Sequence, residues 1–264
     1  AHVSVVEMAP QVMAPIDFSM AQIVHEHLVT KGVELHLGEG VVSFDNSGEG
    51  ISVELSSGKS IAADIVILSI GVRPTTALAH DAQIALGEVG GIRVDNFMQT
   101  SVEGIYAVGD AVEFQHPLLN KPWLNLLAGP ANRQARIAAD NMVFGNHIEY
   151  EGSIGTAIAK VFDITVASTG VPAKRMKELG IPYLTATIHP NSHAQYYPGA
   201  MPMTIKVIFA PDNGKLMGAQ IVGVEGVDKR IDSYAMETKQ GLSITSRMET
   251  EHASAPPYSS AKDP

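Results

Sequence analysis

The chain has 264 residues, 45% of them hydrophobic, and a formal net charge of −10. Its length and apolar content allow a large buried core and one to two domains. The acidic balance excludes nucleic acid and anionic membranes as main partners, because phosphate binding needs a basic surface.

The chain contains no cysteine, which excludes structural disulfides and cysteine-ligated metals. Its longest uncharged apolar run, Ile65 to Val72, is far shorter than the roughly 20 residues of a membrane-spanning helix. No secretion signal opens the sequence, so a cytoplasmic location is the default expectation.

In chain order, Val3 to Met8 reads as a buried strand ending in an acidic residue, Glu7. A proline-punctuated loop follows, then a helix from about Asp17 to Lys31. Strands are predicted at Glu34 to Leu37, Val41 to Asp45, Ile51 to Leu55 and Ile65 to Leu68, with turn signals at Asn46-Ser-Gly48 and Ser57-Gly58. Ile105 to Val108 has the composition of a strand packed on both faces, running straight into Gly109-Asp110. Gly109 lacks the side chain that would hold a ligand off the backbone. Asp110 then falls at the carboxyl end of a strand, where open α/β sheets bind ligands; an ordinary strand-to-turn junction is the alternative.

A helix is predicted from about Gly129-Pro130 to Val143, since proline fits a first turn whose N–H is not needed. From about Tyr150 strands alternate at Thr156 to Phe162, Ile164 to Thr169, Tyr183 to Ile188, Thr204 to Phe209 and Leu216 to Val222. Helices near Ala173 to Leu179 and Val227 to Gln240 complete an α+β unit.

Other chemistries fail on spacing. His25 and His27 are two apart on a helix, and His189 and His193 straddle Pro190, so neither makes a metal pair and no metal site is expected. No Gly-x-Ser-x-Gly elbow is present. Neither is a Gly-x-Gly-x-x-Gly: the clusters Gly38/Gly40 and Gly48/Gly50 have the wrong spacing.

Four ordered segments carry a resemblance. Thr100-Ser-Val-Glu-Gly-Ile-Tyr-Ala-Val-Gly-Asp110 resembles the second flavin-binding motif of the flavin- and nicotinamide-dependent pyridine nucleotide-disulfide oxidoreductases. Asp64-Ile-Val-Ile-Leu-Ser-Ile-Gly-Val-Arg-Pro74 resembles the strand and loop that close that family's NAD-binding domain. Leu127-Ala-Gly-Pro-Ala-Asn-Arg-Gln-Ala-Arg136 and Ala255-Pro-Pro-Tyr-Ser-Ser-Ala-Lys-Asp263 resemble the branch of coenzyme A-disulfide reductases, NADH-dependent persulfide reductases and NADH oxidases.

The resemblance implies an α/β fold of partial Rossmann-like NAD and FAD domains followed by an α+β dimerisation domain. The expected segments are 1–74 for the end of the NAD-binding domain, 75–149 for the second FAD segment, and 150–264 for dimerisation. It further implies a homodimer that uses FAD and NADH to reduce a coenzyme A disulfide or persulfide. Alternatives are an NADH oxidase or peroxidase with the same flavin, and a non-catalytic dimerisation module.

The resemblance also assigns roles to residues. Asp110 beside Gly109 would hold a ribityl hydroxyl of FAD, and the helix start at Gly129, Pro130 and Ala131 would face the flavin's pyrimidine edge. Arg133 and Arg136, three apart on that helix, are otherwise surface charges. Gly71 would lie in the loop closing the NAD domain, and Glu7 would accept hydrogen bonds from the adenosine ribose of NADH; a solvated carboxylate is the alternative. Tyr258, Tyr196 and Tyr197 would reach across the dimer to the substrate, or else cover a loop edge. The branch usually has an aromatic where Ser254 stands. Lys229 and Arg230 would meet coenzyme A phosphates or form a solvated helix face.

Both glycine fingerprints and the family's redox cysteine are missing from these residues. The expectation is therefore that the chain opens on the second strand of a Rossmann unit, with an upstream portion elsewhere. Alone it would bind neither dinucleotide tightly and would be inactive.

Overall fold

The computed structural model describes residues 1–48 and 50–262. A parallel pair, β1 (Val3–Glu7) and β2 (Val33–Leu37), runs in register from Val3 opposite Val33 to Glu7 opposite Leu37, with α1 (Phe18–Thr30) between them in the chain. The helix forms because Met20, Ala21 and Val24 recur on one face, and all three are buried. It stops where Gly32 takes a left-handed φ of 84° and its N–H reaches the Val29 carbonyl. Next come β3 (Val41–Gly48), β4 (Gly50–Leu55) and β5 (Ser60–Ala63), an antiparallel sheet in that order. The predicted turn at Asn46 to Gly48 is instead the end of β3.

The strand predicted at Ile65 to Leu68 does not form. A strand is defined by a laddered neighbour, and none lies alongside this segment among the described residues. Ile65, Ile67 and Leu68 are consequently exposed, as are Ile70 and Val72.

The middle of the chain holds α2 (Ala77–Asp81), β6 (Ile92–Arg93), β7 (Val112–Gln115), β8 (Pro122–Trp123) and α3 (Ala128–Phe144), with β7 between β6 and β8. Met98, Val112, Phe114, Ile137, Ala138 and Tyr150 form its core. The predicted strand Ile105 to Val108 is not a strand. Tyr106 makes one isolated bridge to Gln99, and Ile105 and Val108 are exposed rather than buried on both faces. Pairing stops there because the chain turns at Gly109, whose φ is 85°.

The C-terminal sheet contains β9 (Ala157–Val161), β10 (Ile164–Gly170), β11 (Leu184–Ile188), β12 (Met203–Phe209) and β13 (Leu216–Gly223), in the order β11-β12-β13-β10-β9. Helices α4 (Ala173–Glu178), α5 (Val227–Gln240) and α6 (Ile244–Met248) accompany it. Every residue of β13 is buried. Alternation explains this, because successive side chains point to opposite faces and both faces are covered. Ala219 and Ile221 join Val227, Ile231 and Tyr234 of α5, while Val222 joins Met20, Ala21 and Val24 of α1.

Contacts divide the molecule into one unit of Ala1–Ile70, Ile158–Glu237 and the segment from Gly241 onward, and another of Gly71–Ala157 with Thr238–Gln240. No helix among the described residues is long and apolar enough to cross a membrane.

Candidate functional site

Gly109, Asp110 and Ala111 form a short 3-10 turn, so Asp110 is presented by a turn rather than by a strand end. Its carboxylate is exposed and makes no hydrogen bond among the described residues. The turn lies against the first turns of α3: a β-carbon on Gly109 would be 3.8 Å from the Ala131 Cβ. The Gly109 N–H donates to Gln134 Oε1 at 2.7 Å. Leu127 precedes α3 in extended backbone, and Ala131 closes the helix's first bond to the Leu127 carbonyl at 3.2 Å. The N–H groups of Ala128 and Gly129 have no partner inside the helix, and Pro130 has none to offer. The turn that carries the acceptor-only Asp110 carboxylate thus stands next to a helix's positive end. Gly71 is exposed in an irregular loop with φ of 90°, and a β-carbon built on it would meet nothing within 4 Å.

In the other unit, Glu7 ends β1. Its Oε1 accepts the Ala9 N–H at 2.8 Å, fixing the carboxylate to the turn that follows, and its backbone carbonyl accepts from Glu39. Gly38, at φ 71°, donates to the Ala9 carbonyl, so the ends of the two parallel strands are tied together at this corner.

The tyrosines lie in loops that the structure joins. Tyr196 and Tyr258 are 82% and 72% exposed, and Tyr197 packs edge-on to His193 with centroids 5.7 Å apart. His193 Nε2 and the Pro198 carbonyl are 3.2 Å apart, closing the Tyr196-Tyr197 loop. Ala194 N–H donates to the Pro256 carbonyl at 3.2 Å, linking that loop to the Tyr258 turn.

Helix α5 supports both loops from beneath. Arg230 is 2% exposed and donates to the carbonyls of Gly226 and Ser192 at 2.9 and 3.1 Å, while Lys229 donates to the Tyr258 carbonyl at 2.7 Å. For Arg230 the solvated-face reading is therefore incorrect: the guanidinium turns inward because its fork of donors matches loop carbonyls. Lys229, Arg230, Ser233, His252, Ser254 and Tyr258 line a 440 Å³ cavity here. The Asp263 end of the Tyr258 motif lies outside the described residues.

Sequence reasoning missed three buried polar residues that shape these regions. Glu113, 6% exposed, accepts the Glu88 and Val89 N–H groups at 2.9 and 2.7 Å, closing the Gly87 to Gly91 turn. Gln134 braces Gly109, as above. Asp17 gathers donors from α4, β12 and β13. Only partners distant in sequence reveal these roles. No group of three or more metal-binding side chains occurs among the described residues.

These groups fit parts of the two dinucleotides. Asp110 and the α3 start suit a polyol with an anionic ring edge, and Glu7 suits a ribose diol. Members of the pyridine nucleotide-disulfide oxidoreductase family use FAD and NAD(P)H.

Known proteins resemble this chain along its whole length. Residues 1–135 match the model for pyridine nucleotide-disulphide oxidoreductases, and residues 156–263 match that family's dimerisation domain. A coenzyme A disulfide reductase of Staphylococcus aureus is 31% identical over 99% of this chain, which spans 58% of that relative's length. The reduced Bacillus anthracis CoADR-RHD structure is 47% identical, with a TM-score of 0.96 over 100% of this chain and 47% of that one. A NAD-dependent persulfide reductase from A. fulgidus is 36% identical at the same TM-score, over 100% of this chain and 49% of its own. With two family models matched in order across a fold of this likeness, the chain belongs to the pyridine nucleotide-disulphide oxidoreductase family.

Proposed function

We propose that this chain supplies ribose, ribityl and substrate-side contacts of a homodimeric FAD-dependent oxidoreductase that uses NADH to reduce a coenzyme A disulfide or persulfide. Residues 1–74 are the NAD-type segment, 75–149 the FAD-type segment and 150–264 the dimerisation segment. The observation that carries the reading is the joining of the Tyr196-Tyr197 loop to the Tyr258 turn through Ala194 and Pro256. Tyr196, Tyr197 and Tyr258 are exposed on these joined loops, and in this reading they meet a substrate held by a second copy. The 47% identity with the B. anthracis protein over the whole chain supports the same substrate class.

When bound, FAD would supply the two-electron carrier between NADH and sulfur, the overall change being NADH, a proton and one disulfide to NAD⁺ and two thiols. Glu7 accepts hydrogen bonds from the adenosine ribose and selects NADH. Asp110 accepts from a ribityl hydroxyl, and the first turn of α3 stabilises negative charge at the pyrimidine edge. Tyr258, with Tyr196 and Tyr197, donates a hydrogen bond to the departing sulfur. The thiol that exchanges with the substrate would come from outside these 264 residues, which contain no cysteine.

The test is anaerobic NADH oxidation by the full-length protein with coenzyme A disulfide or a persulfide as acceptor. Turnover with flavin bound is expected. Consumption of NADH only when oxygen or peroxide is present would replace this reading with the oxidase or peroxidase, and absence of both flavin and turnover would leave a dimerisation module.

A further inference from the structure

Gln134 lies within α3, two turns from its start, and is 1% exposed. A buried amide needs a reason to be there, since leaving it without partners is costly. Its Oε1 accepts the N–H of Gly109 at 2.7 Å, and Gly109 is the residue that turns the chain, at φ 85°, immediately before Asp110. The Gly109 N–H belongs to the peptide leading into that turn. Orienting it therefore orients the Asp110 backbone that follows.

A second buried group adjoins the same side chain. Tyr150, 6% exposed, has a hydroxyl with no hydrogen-bond partner among the described residues. Burial raises its pKa, and the neighbouring Gln134, Arg133 and Ser153 side chains act in the opposite direction. The ring is held edge-on by Phe114 at 5.6 Å, and the Tyr150 backbone N–H donates to the Asn96 carbonyl at 2.6 Å, so the phenol is fixed. Gln134 is consequently hemmed in by a rigid aromatic on one side and the glycine turn on the other.

We propose that Gln134 is a positioning residue for the flavin ribityl chain: it holds the left-handed turn at Gly109 and thereby aims the Asp110 carboxylate. The inference rests on the assignment of Asp110 proposed above. As proposed, Gln134 acts on the turn rather than on the flavin itself. Its effect on affinity passes through the turn.

A double-mutant cycle on the full-length protein tests this, with the FAD dissociation constant measured by fluorescence titration of the apoprotein. Gln134→Met keeps the length and removes the acceptor, and should weaken FAD binding about five- to thirtyfold, the effect of orphaning one buried donor. In an Asp110→Ala background the same change should weaken binding less than about twofold, because the residue it aims is gone. Gln134→Glu keeps an oxygen acceptor for Gly109 and offers one to Tyr150, so its affinity should stay within about threefold of the parent.

Equal losses from Gln134→Met in both backgrounds would overturn the positioning role and leave the Asp110 assignment intact. If Asp110→Ala alone left FAD affinity unchanged, the Asp110 assignment would fail and this inference with it, a pattern distinct from the first. Should Gln134→Met not fold, Gln134→Asn replaces it: one methylene too short to reach Gly109, it should weaken binding similarly, and parental affinity would overturn the proposal.

Discussion

The Asp17 carboxylate lies 2.8 Å from the Lys206 ammonium, with only 5% and 13% of the two side chains exposed. The same carboxylate accepts the N–H groups of Ala173 and Lys174 at 3.2 and 2.9 Å and the Gln220 amide at 3.0 Å. Asp17 begins α1 yet caps α4 at a sequence distance of 156 residues, fastening the first helix to the C-terminal sheet.

Asp17→Ala should therefore destabilise the protein by roughly 3 to 5 kcal/mol, since it leaves a buried ammonium and several donors uncompensated. Urea unfolding of the parent and variant measures the difference. A loss below about 1 kcal/mol would mean that water reaches these groups and that the clasp is weak.

His116 gives the protein a dependence on acid. It is 1% exposed, and its Nδ1 accepts the Leu118 N–H at 3.2 Å, an arrangement open only to neutral imidazole. Burial first, and then the charge of Lys239, hold its pKa down to about 4 from the ordinary 6.5. Between those values the unfolded chain binds a proton that the folded one refuses, so stability falls as pH drops from 6.5 to 4, by roughly 3 kcal/mol in all. Above pH 6.5 the residue has no effect. Unfolding free energies across this window should show the slope, and His116→Phe should remove that part of it. An identical slope in the variant would assign the acid sensitivity to other groups.

Tyr258→Phe separates two half-reactions. Reduction of flavin by NADH should proceed at the parental rate, while transfer from reduced enzyme to the sulfur acceptor slows about tenfold or more, within the range of one lost proton donor. Stopped-flow absorbance follows each step. A defect confined to flavin reduction would remove Tyr258 from the substrate side.

Glu7→Arg should shift preference from NADH toward NADPH, because a carboxylate accepts from two ribose hydroxyls and repels a 2′-phosphate, which a guanidinium attracts. The ratio of kcat/KM for the two cofactors is the readout. An unchanged ratio would place the adenosine ribose elsewhere.

Regular elements were legible where the code is local. Proline near the start of α3 and the apolar makeup of β10, β12 and β13 placed those elements within a residue or two. Where a segment's state depends on a neighbour, local pattern misled: Ile65 to Leu68 and Ile105 to Val108 have strand composition but no ladder among the described residues. Asp110 and Glu7 could be singled out because motifs mark them. Gln134, Glu113 and Asp17 could not, since each acts on backbone 24 or more residues away and a lone polar side chain carries no sign of its distant partner. Arg230 was misjudged for the same reason, its carbonyl partners at Ser192 being visible only in the fold.

The most direct measurement is the FAD dissociation constant of Asp110→Ala in the full-length protein. Loss of a charged acceptor for a ribityl hydroxyl should weaken binding about tenfold to 150-fold, the equivalent of roughly 1.5 to 3 kcal/mol. The purified variant should also carry less flavin than the parent. Parental affinity and parental flavin content would contradict the assignment of the Gly109-Asp110 turn to FAD, and with it the centre of this account.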